Sequence, residues 1–186
     1  MRTKVINLSH RTDRLQAVTE QIHNFGISEF IRFDAFPKGI PGFNKSMHFA
    51  LENENELLLL EDDCIFEGTI NDLMKAKEEL PDDWDLLYLG ANVRSKQERY
   101  SNRLHNLKDG WTSHAILYSA KGADYCYNTF NWQESMIYDE WLRTHAQQVL
   151  KCFVMNPMIA FQSDGWSDIW GANTTYGIKD SQKHLI

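Results

Sequence analysis

No stretch of this 186-residue chain approaches the roughly 20 consecutive apolar residues that cross a bilayer. The apolar start at Val5-Ile6 turns polar by Ser9-His10-Arg11, too soon for a secretory signal, so the chain reads as soluble, unsecreted and cytoplasmic. Cysteine is scarce: Cys64, Cys126 and Cys152 are odd in number, widely spaced and form no Cys-x-x-Cys pair. That argues against a disulfide framework or a zinc knuckle and fits a reducing compartment. Lys and Arg never cluster beyond an isolated pair in a chain of net charge -7, which excludes broad nonspecific nucleic-acid binding. Phosphate-loop, dinucleotide, serine-elbow and His-Glu-x-x-His motifs are all missing, and the corresponding kinase-like, dehydrogenase and hydrolase readings fall away.

What is present suits one globular domain over residues 1-186, with 42% hydrophobic and 24% charged residues. Lys4 to Leu8 is a β-branched run that predicts a buried first strand, and Leu15, Val18, Ile22 and Phe25 recur at helical spacing after it. Gly26 stops that helix, and Phe30 to Phe33 reads as a second strand. The glycines and prolines between Pro37 and Lys45 predict a loop, followed by a short helix over Ser46 to Asn53. Leu57 to Leu60 predicts a strand buried on both faces, Thr69 to Leu80 a helix and Trp84 to Leu89 a strand. Ala91 to Asp109 is polar and weakly patterned, and is expected to be a surface excursion or lid. Further on come a strand over His114 to Ser119, helices over Lys121 to Phe130 and Asp139 to Gln148, a strand over Cys152 to Met155, and a tail near 171-186. Strands alternating with helices predict an α/β fold.

Three features carry chemistry. An apolar strand that ends in Glu61-Asp62-Asp63 places carboxylates at the carboxyl edge of a sheet, where ligands bind in open α/β folds. Such hard oxygen donors suit Mg²⁺ or Mn²⁺ bridging to a diphosphate, although an acidic triplet can equally be a solvated turn. Arg11 and Arg14 follow the first strand at the same edge, within reach of phosphates, or else paired with Asp13 or Glu20. Finally, the segment Phe161 to Gly171 mixes acids and tryptophans; Asp164 or Asp168 is a candidate polar contact and Trp166 a candidate stacking wall. His114, inside a predicted strand, reads as a hydrogen-bonded, semi-buried imidazole.

Taken in order, these segments resemble glycosyltransferase family 25. Val5-Ile6-Asn7-Leu8-Ser9-His10-Arg11-Thr12-Asp13-Arg14 is similar to that family's opening, Arg32-Phe33-Asp34-Ala35 to its second motif and Leu59-Leu60-Glu61-Asp62-Asp63 to its acidic motif. Thr112 to Ala123 is similar to its later strand-helix motif. The resemblance implies an A-type glycosyltransferase fold, with a Rossmann-like open mixed sheet flanked by helices, a divalent metal and a nucleotide-sugar donor, usually a UDP-sugar. It implies Asn7, Leu8, Arg11, Arg14, Asp34 and Asp62 at the nucleotide, with Glu61, Asp63 and Asp168 as metal ligands. Tyr138-Asp139-Glu140 falls where the family has an acidic residue, which makes Asp139, then Glu140, the candidate base for an inverting transfer to a hydroxyl of a glycan or other biopolymer. Asp139 is as well suited to capping the helix it opens. The family commonly has Ser-His ahead of the acidic strand; here Ser46-Met47-His48 departs from it, so no role is assigned to His48. The rival expectations are a nucleotidyltransferase or metal-dependent phosphohydrolase, which also use an acidic strand end, and a non-catalytic sugar-nucleotide-binding module.

Overall fold

Leu57, Leu58, Leu59 and Leu60 are all fully buried, each adding roughly 2 kcal/mol of apolar transfer free energy. Because side chains alternate along a strand, Leu57 and Leu59 join one core layer and Leu58 and Leu60 the other, so the sheet needs helices on both faces. The computed structural model, which describes residues 1-185, has that architecture. Its elements run β1 (Arg2–Asn7), α1 (Thr12–Phe25), β2 (Ile31–Asp34), α2 (Gly39–Ala50), β3 (Leu57–Glu61), β4 (Cys64–Phe66) and α3 (Ile70–Lys77). The chain continues through β5 (Leu86–Tyr88), β6 (Asn92–Val93), β7 (Leu104–Asn106), β8 (Gly110–Trp111), β9 (Ala115–Tyr118) and α4 (Ala120–Thr129). It closes with α5 (Tyr138–Trp141), a π turn (Leu142–Ala146), α6 (Gln147–Val149), β10 (Cys152–Met155), β11 (Ala160–Gln162), β12 (Gly165–Ser167), β13 (Ala172–Thr174) and α7 (Ile178–Ser181).

Among the described residues the main sheet has seven strands in the order β2-β1-β3-β9-β5-β10-β7. β1 pairs in parallel with both β2 and β3, while β9 runs antiparallel between β3 and β5. The chain leaves β1 towards one edge, makes β2, then returns across to β3, so the strand order reverses at β1. Ligands of open α/β sheets bind outside the carboxyl ends at such a reversal. The α/β fold with an open mixed sheet flanked by helices is thus the one the sequence predicts. No helix among the described residues is long and apolar enough to cross a membrane.

Local chemistry explains the helix limits. Gly26 ends α1 at φ 108°, its N–H reaching the carbonyls of Ile22 and His23, and an added Cβ would lie 2.8 Å from Ile70 Cγ2. At the start of α3, Asp72 Oδ2 accepts from the Thr69 N–H at 3.0 Å, the acid half of a capping box.

Three expectations are corrected. The Pro37 to Lys45 segment is not a loop throughout: α2 begins at Gly39. Pro41 lies in the first turn, where backbone N–H groups have no helical partner, so it costs no hydrogen bond. Gly42 is required by packing, since a Cβ there would lie 2.3 Å from the Phe36 carbonyl oxygen. The 91–109 stretch is not a solvent excursion either. It supplies β7, paired antiparallel to β10, and buries Leu104, His105 and Leu107. The tail near 171–186 likewise contributes α7 and buries Ile178 and Leu185.

Candidate active site

The carboxyl ends of β1 and β3, the start of α2 and the segment around Ser167 enclose a cleft of about 260 Å³. Glu61, Asp62, Asp63, Asn7, Leu8, Arg14 and Asp168 line it, all positions expected from the sequence. Phe36, Phe43, Ile169 and Tyr176 form its apolar wall, which sequence reasoning missed. The signal available for Phe36 was its place directly beyond the second strand, at the same sheet edge.

The three acids have different environments because a strand alternates and then ends. Asp62 faces α1: Asn7 Nδ2 donates to its Oδ2 at 2.8 Å and Arg14 Nη1 to its Oδ1 at 3.0 Å. Asn7 also donates to the Arg11 carbonyl, so it fixes the turn after β1 and braces Asp62. Asp63 is buried, with only long contacts from Gln162 Nε2 at 3.3 and 3.4 Å and Arg14 at 3.9 Å. Burial pushes its carboxyl from 3.8 up to about 7, against the pull of Arg14.

Glu61 faces α5, and burial, with Asp63 and Asp139 nearby, raises it well above the usual carboxylate range. The Ser113 hydroxyl lies 2.8 Å from Glu61 Oε1 and 2.7 Å from Asp139 Oδ1. A hydroxyl has one proton and can donate to only one of them, so the other carboxyl must carry a proton of its own. Burial raises Asp139 to about 6, against the pull of the Ser113 bond, whereas Glu61 is pushed well above the usual carboxylate range. Ser113 reaches this edge because β9 is antiparallel and presents its entry, rather than its exit, beside the end of β3. It lies within the Thr112 to Ala123 segment, where the sequence alone gives it no distinguishing mark.

Other expected residues are placed elsewhere. Asp34 points outward, 75% exposed and paired with Arg32, because β2 is an edge strand. Glu140 pairs with Arg143 at 2.8 Å and does not line the cleft. Trp166 is 51% exposed on β12 and forms no wall; its carbonyl accepts from Arg14 instead. Arg11 is engaged by Asp13 at 2.9 Å and by Asp168, so the expected pairing with Asp13 is present. His114 is fully buried 3.1 Å from the Thr112 hydroxyl, and burial lowers it to about 4, which keeps it neutral.

Among the described residues, no three His, Cys, Asp or Glu side chains converge as a ready-made metal cage. Mg²⁺-like ions need none: they are commonly held by one or two carboxylates together with substrate phosphates. Buried Asp63, with weak partners and its ionised form disfavoured, and Glu61 beside it, are donors of the right hardness for such an ion.

No protein-family model matches the sequence, and no curated protein matches it. Among solved structures, the chain is similar to A197 from STIV, with a TM-score of 0.55 at 9% identity over 93% of each chain. That likeness extends to the fold alone. The chain also aligns with a Drosophila beta-1,4-galactosyltransferase 7 in complex with manganese, UDP-Gal and xylobiose (TM-score 0.48, 11% identity, 99% of this chain and 79% of that one). A third match is the CTP:phosphocholine cytidylyltransferase of Streptococcus pneumoniae (TM-score 0.47, 9% identity, 87% and 92%).

Proposed function

We propose that the chain is a metal-dependent glycosyltransferase of the A-type fold, related to family 25, that moves a hexose from a nucleotide diphosphate sugar to an acceptor hydroxyl with inversion. The observation that carries this reading is the acidic run at the end of β3, opening into a cleft at the strand-order reversal with Arg14 and the start of α2 on its rim.

The apolar wall of Phe36, Phe43 and Ile169 would receive the nucleoside, and Arg14 with the first turn of α2 would face the diphosphate. Asp63 and Glu61 would hold Mn²⁺ or Mg²⁺, which when bound supplies positive charge for the departing diphosphate. Asp139 would accept the acceptor's hydroxyl proton as the new bond to the sugar carbon forms and the bond from that carbon to the diphosphate oxygen breaks. Nucleoside diphosphate leaves with the electron pair of the broken bond. Asp139 suits the task because burial sets it near 6, high enough to take a proton and low enough to be ionised at pH 7.

Asp62→Asn and Asp63→Asn are expected to fold and to lose metal-dependent donor hydrolysis and transfer, measured as UDP release from UDP-hexoses with Mn²⁺. Undiminished release from both variants would overturn the reading.

A further inference from the structure

β6 and β8 form a short antiparallel ribbon that pairs Asn92 with Trp111, and Asn92 donates to the carbonyl of Tyr176 at the cleft wall. The Trp111 ring carries two guanidiniums: Arg94 Cζ lies 4.4 Å from its centroid and Arg143 Cζ 4.7 Å. Two such groups on one ring stand out in a chain of net charge -7. Arg143 is tied to Asp109 at 3.2 Å and to Glu140 at 2.8 Å. Arg94 is exposed, and its guanidinium makes no ion pair among the described residues. The Trp111 indole N–H is buried and has no hydrogen-bond partner there. A planar guanidinium held flat on an aromatic ring keeps its edge donors free and loses little freedom when an oxyanion binds.

The position of this plate decides its use. Trp111 stands two residues before Ser113, whose hydroxyl touches Asp139, and Arg143 is held by the neighbouring Glu140. None of Arg94, Trp111 and Arg143 lines the nucleotide cleft. Asp139 is therefore linked through Ser113 to Glu61 in the cleft that would take the donor and, along the chain, to this cationic aromatic face.

We propose that Arg94, Trp111 and Arg143 form the acceptor subsite, and that the acceptor is a sugar bearing an oxyanion, either a phosphate or a carboxylate. The acceptor role rests on the transferase reading, whereas the anion site does not. The sugar's acid group meets the edge donors of Arg94 held on Trp111, and its free hydroxyl is left near Asp139.

The test is binding without turnover, reading the Trp111 indole N–H resonance of ¹⁵N-labelled full-length protein titrated with galactose 6-phosphate, galacturonate and galactose. At least one acid sugar is expected to shift that resonance saturably, while galactose does not, and the tighter acid names the group. Arg94→Ala should weaken that acid's binding at least about tenfold, the worth of one charge-assisted hydrogen bond. Arg94→Lys, which keeps the charge and loses the planar face, should fall between. Arg99→Ala, an exposed arginine on the β7 side, should bind as the native chain does. Equal responses to galactose and the acids, or native affinity in Arg94→Ala, would overturn the proposal. Heat stability with UDP and Mn²⁺ is read separately: its absence with acid binding intact removes the transferase reading and the acceptor role, while leaving the anion site standing.

Discussion

Asp63→Asn should make the metal-free protein more stable at alkaline pH while abolishing its response to Mn²⁺. The native carboxyl is 8% exposed, and its nearest cation, Arg14, stands at 3.9 Å, already shared with Asp62. Burial lifts it from 3.8 to about 7, so the folded chain holds a proton between about pH 4 and about pH 7 that the unfolded chain has released. A group whose folded pKa is raised in this way loses stability as pH climbs through that window, and the loss is complete above it. At about 1.4 kcal/mol per pH unit, the cost at pH 8 is on the order of a few kcal/mol. Asparagine keeps an oxygen to accept from Gln162 and has nothing to ionise. Urea unfolding in EDTA at pH 5 and pH 8 measures the effect: the native chain should weaken between the two, the variant much less. With Mn²⁺ at about 100 times its dissociation constant, the native chain should gain about 2.7 kcal/mol and the variant nothing. Equal pH slopes for the two proteins, or a variant no more stable at pH 8, would refute the placement of a strained, buried carboxylate at this position.

Ser113→Ala removes the hydrogen bond that holds Asp139 down, so the acid limb of the rate profile should move above about 6 and turnover below it should fall about tenfold; an unmoved limb counts against Asp139 as base. Arg11→Ala frees Asp168, so limited proteolysis between residues 163 and 177 should quicken several-fold while global urea stability changes by less than about 1 kcal/mol. Gly90→Ala would set a methyl 1.9 Å from the Ala160 carbonyl oxygen, and thermal unfolding should show a loss of about 3 kcal/mol or more.

The elements most legible in the sequence were those whose side chains have one job. Leu57 to Leu60 and the Leu15–Phe25 stripe repeat at the periods of strand and helix because they do nothing but fill the core. The misread segments use residues for two purposes. Pro41 and Gly42 read as loop punctuation, but one occupies a donor-free helical turn and the other makes room for a carbonyl. In the 91–109 stretch, buried Gln97 accepts from the Lys108 N–H, so a polar residue does core work and leaves no apolar period to see. At the site, the strand-end acids were visible because four leucines point to them. Ser113 was not, since its importance comes from the direction of β9, and direction is a property of strand pairing rather than of composition.

The cleft gathers its walls from remote stretches of chain: Arg14 meets Asp62 across 48 residues, Ser113 meets Glu61 across 52, and Arg11 meets Asp168 across 157. Every strand of the main sheet lies before residue 156, whereas Ser167, Asp168, Ile169 and Tyr176 come after it. A chain cut near residue 163 would still carry every strand of the main sheet yet lose one side of its binding surface. Ligands of the cleft therefore recognise only the finished molecule, and a small compound that fits there would rescue marginally folding variants by drawing the population towards the complete fold.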